Sequence, residues 1–156
     1  MTDTLKSICE QCVHLRNPQL EFIAKESQRQ RDIIRRDVGE LVSAASQELE
    51  KTVVVLAGSL FESILYCFIQ AQSPYIALRR GTFVFNPEHS LENYVEIFNR
   101  WFSRTLSIPD IVIDYRHIVH INRELKFGTD ICRSGAEEML RMLNALLGEV
   151  ALYPAP

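Results

Sequence analysis

No stretch of the 156-residue chain reaches the roughly 18 consecutive apolar residues that a membrane-spanning helix needs, so the sequence predicts no membrane contact. The opening Met1-Thr-Asp-Thr-Leu-Lys-Ser7 lacks a basic stretch followed by an apolar one. A signal peptide is therefore not expected, and a cytoplasmic protein is. An excess of basic residues is missing too. The 17 Lys and Arg stand against 20 Asp and Glu, a net charge of −3. That excludes a protein held on nucleic acid by bulk charge and leaves only a local patch for any phosphate site. Few segments alternate as strands do, and there is no internal repeat or low-complexity tract.

Cysteine is sparse, with Cys9, Cys12, Cys67 and Cys132 the four present. Cys9 and Cys12 form a CxxC with His14 two residues on. No second pair follows at zinc-finger spacing, and no strand precedes the motif as in a thioredoxin-like unit. Residues i and i+3 also share one face of an amphipathic helix, so buried thiols are the expectation and a metal or redox pair the alternative. Cys67, inside Leu65-Tyr-Cys-Phe-Ile69, reads as core. No metal or other cofactor is implied.

What the chain does have is apolar residues at helical spacing. They make up 47% of the composition, enough for one domain over 1–156 with its core at about 20–150. The pattern predicts a short helix within 1–18, over 3–15, closed by Asn17-Pro18. A second helix is expected over 20–41, with Ile33, Ile34, Val38, Leu41 and Val42 on one side. Ser43-Ala-Ala-Ser46 is the expected break, followed by a central helix over 47–71 that is apolar on most sides. Residues 73–89, with Pro74, Gly81 and Pro87, read as a loop. Ser90 can cap a helix over 91–104, and Ser107 with Pro109 can open another that stops at Gly128. Ser134-Gly-Ala-Glu137 has the form of a capping box opening a last helix to 149, and Tyr153-Pro-Ala-Pro156 an expected frayed tail at 151–156. The prediction is all-α: an antiparallel bundle of four main helices plus the short N-terminal one.

The sharpest chemistry lies in Asp114-Tyr-Arg-His-Ile-Val-His-Ile-Asn-Arg-Glu124. Ile108, Ile111, Val112, Tyr115, Ile118, Val119 and Leu125 recur at spacings of three and four, so one face is buried. Arg116 and His120 then sit one turn apart on its flank, a cation and an imidazole suited to gripping a phosphate and moving a proton. The alternative is a structural pair, with Arg116 held by Asp114 or Glu62 and His120 capping a buried carbonyl. Glu62, in the apolar central helix, needs a partner in either case and could find it in Arg116 or Lys51, or else reach a cleft. Lys25, Arg29, Arg31, Arg35 and Arg36 could bind RNA backbone, but Glu21, Glu26, Asp32 and Asp37 make a solvated face the plainer reading. Phe98, Trp101 and Phe102 read as core or dimer interface rather than stacking platforms. His14 and His89 carry no assignment.

Three blocks in order, Arg35-Arg-Asp-Val-Gly-Glu-Leu41, Lys51-Thr-Val-Val-Val-Leu-Ala-Gly-Ser-Leu-Phe-Glu-Ser-Ile-Leu65 and Asp114-Tyr-Arg-His-Ile-Val-His120, resemble the HEPN superfamily over about residues 30–147. The chain departs from the family pattern in having His117 where asparagine is usual and Ile121 where proline is usual. Its three residues between Arg116 and His120 are also fewer than in the common ribonuclease motif. The resemblance implies a bundle of about four to five helices that pairs as a two-fold dimer around one cleft. It implies a metal-independent endoribonuclease of a toxin–antitoxin or phage-defence system, or else a non-catalytic module that binds a partner protein or nucleotide. In the first case Arg116 would stabilise charge and His120 would move the proton, with His117 as the complementary proton donor or a substrate contact and Asn122 and Arg123 as further substrate contacts. The partners implied are a second copy, RNA, and an antitoxin or nucleotidyltransferase-like protein.

Overall fold

The architecture is that of a computed structural model, which describes residues 3–80, 83–117 and 130–153, the side chains of 77–80 and 130–132 excepted. Among these, seven α-helices pack together and no strand occurs: α1 (Leu5–Gln11), α2 (Val13–Arg16), α3 (Gln28–Ser46), α4 (Glu50–Arg80), α5 (Leu91–Trp101), α6 (Ile111–Arg116) and α7 (Asp130–Val150). The expected all-α bundle is therefore the observed one. The stop expected at Gly128 lies outside the described residues.

Helix α4 is the axis because its sequence is apolar all round. Val53, Val54, Ala57, Leu60, Phe61, Ile64, Leu65, Phe68 and Ile69 are all buried, and α3, α5, α6 and α7 pack against it. By length and composition Glu50–Ile76 could cross a membrane, with an 18-residue window of mean hydropathy 2.0. Thr52, Gly58, Ser59, Glu62 and Ser63 interrupt the apolar residues, so no 18 of them are consecutive. In this fold 61% of that window is buried against the rest of the bundle. The helix also runs on past the expected loop at 73, through Pro74 to Arg80. Proline has no N–H for the Gln70 carbonyl, and the Ser73 hydroxyl donates to that oxygen instead at 2.8 Å. Pro74 faces solvent, while Gln72 and Ile76 are buried and hold the extra turns to the core.

Helix α3 starts at Gln28, later than expected. Leu20, Phe22 and Ile23 are buried without helical spacing, as a non-helical segment tucked into the core before a 3₁₀ turn at Lys25–Ser27. The break after α3 falls at Gln47–Leu49, where Glu48 adopts a left-handed φ of 56°. Ser43–Ser46 instead form the last helical turn. Ile34, Val38 and Leu41 are buried as expected, whereas Ile33 is 37% exposed. The N-terminal helix is split at Cys12 into α1 and α2.

Distant side chains cap the short helices. The Glu48 carboxylate accepts from the N–H groups of Leu5 (2.9 Å) and Lys6 (3.1 Å) at the start of α1. Asn144 Oδ1 accepts from those of His14 (2.9 Å) and Leu15 (3.1 Å) in α2. Ser90 is the N-cap of α5 as expected, in a capping box in which Asn93 Oδ1 accepts from the Ser90 N–H at 3.1 Å and from its hydroxyl at 2.9 Å. The capping box expected at Ser134–Glu137 lies inside α7, which has begun by Asp130. There Glu137 pairs with Arg133 one turn back at 2.9 Å. Nor is Tyr153 frayed. Its hydroxyl donates to the Phe102 carbonyl at 2.8 Å, and its ring centre lies 5.0 Å from that of Phe68.

Candidate functional site

Helix α6 is only six residues long and makes few backbone hydrogen bonds of its own, so its placement depends on its neighbours. Two glycines allow α6 to lie close to α4 and α7. A methyl group on Gly58 of α4 would stand 2.7 Å from Arg116 Cδ and 3.1 Å from Arg116 Cα. One on Gly135 of α7 would stand 3.0 Å from the Tyr115 ring. Tyr115 is buried there and its hydroxyl donates to Glu138 Oε2 at 2.9 Å. Burial, then the Glu138 carboxylate, pushes its pKa up to about 12.

This close approach puts Arg116 beside Glu62, one turn along α4 from Gly58, with Nε 3.3 Å from Oε2. Of the partners expected for Arg116, Glu62 is the one found. Both side chains are half-buried on the wall of a cleft of about 380 Å³, large enough for a small polar ligand. Ser59, Ser63 and Tyr66 of α4 share the cleft, and His89 stands on the wall formed by the loop before α5. The Nε–H bond to Glu62 orients the guanidinium, whose terminal nitrogens carry the four N–H donors that suit bidentate contact with a phosphate.

The sequence-predicted residues divide as follows. Arg116 lines the cleft. His117 ends α6, half-buried, and is not among the described residues that line it. His120, Asn122 and Arg123 lie outside the described residues. Phe98 and Phe102 are core, and half-buried Trp101 borders a neighbouring groove. In the basic cluster Arg36 pairs with Asp37 at 2.7 Å and Arg35 lies 3.9 Å from Asp32, both pairs exposed as a solvated face would have them. Arg31 turns inward and donates to the Ile23 carbonyl.

Cys9, Cys12 and Cys67 are buried free thiols, as expected. Burial raises the pKa of all three, that of Cys67 to about 12, which keeps them protonated and unreactive at neutral pH. Among the described residues no group of three or more His, Cys, Asp or Glu side chains could hold a metal ion.

Sequence reasoning missed His89, Tyr66 and Tyr94 as cleft residues. For the two tyrosines no sequence signal separates cleft from core. For His89 there was none either: its place directly before the N-cap Ser90 marks a loop residue and not one that faces a cleft. Known proteins offer no guide to this site: no family model, curated protein or solved structure matches the chain.

Proposed function

We propose that the chain is a HEPN-type, metal-independent endoribonuclease of a toxin–antitoxin or phage-defence system. It would act in the cytoplasm as a homodimer, restrained by an antitoxin or nucleotidyltransferase-like partner. The observation that carries this reading is the meeting of two of the sequence blocks at one point. Gly58 and Glu62 of the second block receive and orient Arg116 of the third at the wall of a cleft.

In this reading the nucleophile is the substrate's own 2′-hydroxyl. Its proton passes to His120 as the 2′-oxygen bonds to phosphorus. Arg116 meets the negative charge that builds on the phosphoryl oxygens. The bond from phosphorus to the 5′-oxygen breaks, that oxygen takes up a proton, and a 2′,3′-cyclic phosphate remains. Glu62 is a positioning residue, fixing the guanidinium through Nε.

The test is cleavage of mixed RNA by the purified protein in EDTA, beside Arg116→Ala and His120→Ala. Cleavage by the wild type alone, with loss of about two to four orders of magnitude in either variant and cyclic-phosphate ends, is the expected result. The Arg116–Glu62 ion pair also favours a second reading, a non-catalytic module that binds a partner protein or nucleotide. Equal cleavage by all three proteins, or none, would favour that module and sink the ribonuclease.

A further inference from the structure

The cleft has a second potential cation besides Arg116. His89 lies at the edge of two cavities, the Arg116 cleft and a groove of about 420 Å³ that reaches Trp101 along α5. Its place is fixed from both sides. Asn86 Oδ1 accepts from the Glu88 N–H at 2.9 Å, and the Asn86 carbonyl accepts from the His89 N–H at 3.2 Å, which closes a tight turn. The hydroxyl of buried Tyr94 donates to the Asn86 carbonyl at 3.3 Å and holds that turn to α5. The His89 ring packs edge-on to the Tyr94 ring with centres 6.0 Å apart. Directly afterwards Ser90 and Asn93 form the capping box that starts α5, which fixes the backbone on the other side of the ring.

A half-buried imidazole held by a turn, a ring contact and a helix start is pre-organised for a ligand. Among the described residues it makes no ion pair. The charged groups that share its two cavities are Glu62 and Arg116 on one side and Glu96 and Arg100 on the other, with Glu88 next to it in the chain. Among the described residues each cavity is thus lined by one cation and one anion, with Glu88 exposed beside them, so a protonated His89 adds a positive charge to the Arg116 cleft.

We propose that His89 binds a phosphodiester as its imidazolium, forming with Arg116 a two-cation grip on the RNA backbone. The inference rests on the RNA reading above and adds to it a substrate-binding residue outside the three sequence blocks.

The experiment uses a 2′-O-methyl uridine dinucleotide, which cannot be cleaved. Its single phosphodiester charge stays constant from about pH 8 to about pH 5.5, so the ligand does not titrate. Calorimetric affinity is measured across that range for the wild type, His89→Gln and Arg116→Ala, with thermal melts as a folding control. We expect wild-type affinity to rise roughly tenfold as the pH falls, most of that rise to be lost in His89→Gln, and weak binding at every pH in Arg116→Ala. A rise that persists undiminished in His89→Gln overturns the proposal, as does a wild type that does not bind the dinucleotide. RNA cleavage assayed in parallel separates the two readings. Arg116-dependent cleavage with a pH response unaltered in His89→Gln removes His89 alone, whereas loss of both binding and cleavage removes the ribonuclease reading with it.

Discussion

One methyl group should have opposite effects at two helical glycines. Gly39 of α3 is exposed, and a Cβ there would meet nothing within 4 Å. Gly39→Ala therefore gains helix propensity at no steric cost, about 0.5–1 kcal/mol, or roughly 1–4 °C in Tm for a chain of this size. At Gly58 the same methyl would lie 3.1 Å from the Arg116 backbone, which cannot swing aside as a side-chain tip can. Overpacking of this kind costs about 1–3 kcal/mol and outweighs the propensity gain. We expect Gly58→Ala to lower Tm by several degrees and to weaken Arg116-dependent phosphodiester binding, while Gly39→Ala leaves binding unchanged. Thermal melts beside the dinucleotide titration read both effects. A stabilised Gly58→Ala variant would show that α6 is not held by close approach to α4.

Pro74 poses a question that belongs to the whole of α4. Within a helix a proline gives up a hydrogen bond and costs about 3 kcal/mol, part of which Ser73 offsets by donating to the Gln70 carbonyl. Pro74→Ala should return a backbone N–H to that carbonyl and stabilise the protein by about 1–3 kcal/mol, less what proline contributes by restricting the unfolded chain. Ser73→Ala should then cost about 1 kcal/mol in the wild type and little in the Pro74→Ala background. Urea unfolding of the four proteins measures that coupling, and purely additive losses would show that the serine does not stand in for the missing N–H. The same helix shows how far the sequence could be read. Its existence, its central place and its buried face followed from periodicity, because apolar burial is what stabilises it. Its end did not, because Gln72 and Ile76 hold the turns around Pro74 to the core, and tertiary packing of that kind leaves no local signal. Ser134–Glu137 misled for the converse reason: a capping pattern is legible, but whether a helix has already begun upstream is not. At the cleft, Arg116 was legible from its motif and its pairing with Glu62 was among the partners weighed. His89 was not, because its nearness to Arg116 is set by how the loop folds back over α4.

Across the whole molecule the buried residues of all seven helices form one cluster, so titrating groups tied into it couple pH to the stability of the entire fold. On the acid side the relevant groups are Glu149 and Glu48. Burial alone would raise the Glu149 pKa, but the Thr105 hydroxyl, with the N–H groups of Thr105 and Arg104, outweighs it and holds that pKa below the ordinary 4.5. Glu48 is likewise held low, the Leu5 and Lys6 N–H groups and Arg133 overcoming its desolvation. A lowered folded pKa means that the unfolded chain takes up the proton first. The stability these carboxylates contribute is therefore present above pH 4.5 and lost as the pH falls through their folded values. On the alkaline side the order reverses. Burial raises Cys67 from 9.0 to about 12, and burial with Glu138 raises Tyr115 from 10.0 to about 12. The unfolded chain then loses its protons first, so stability should decline from about pH 9 to about pH 12. Guanidinium midpoints across pH should accordingly form a plateau with two sloping limbs. Glu149→Gln removes one lowered carboxylate and should flatten only the acid limb. Tyr115→Phe removes one raised phenol and should flatten only the alkaline limb, at a cost of about 1 kcal/mol on the plateau for the lost bond to Glu138. If either substitution shifted the whole curve without changing a limb, the group would be packing into the core without coupling its proton to the fold.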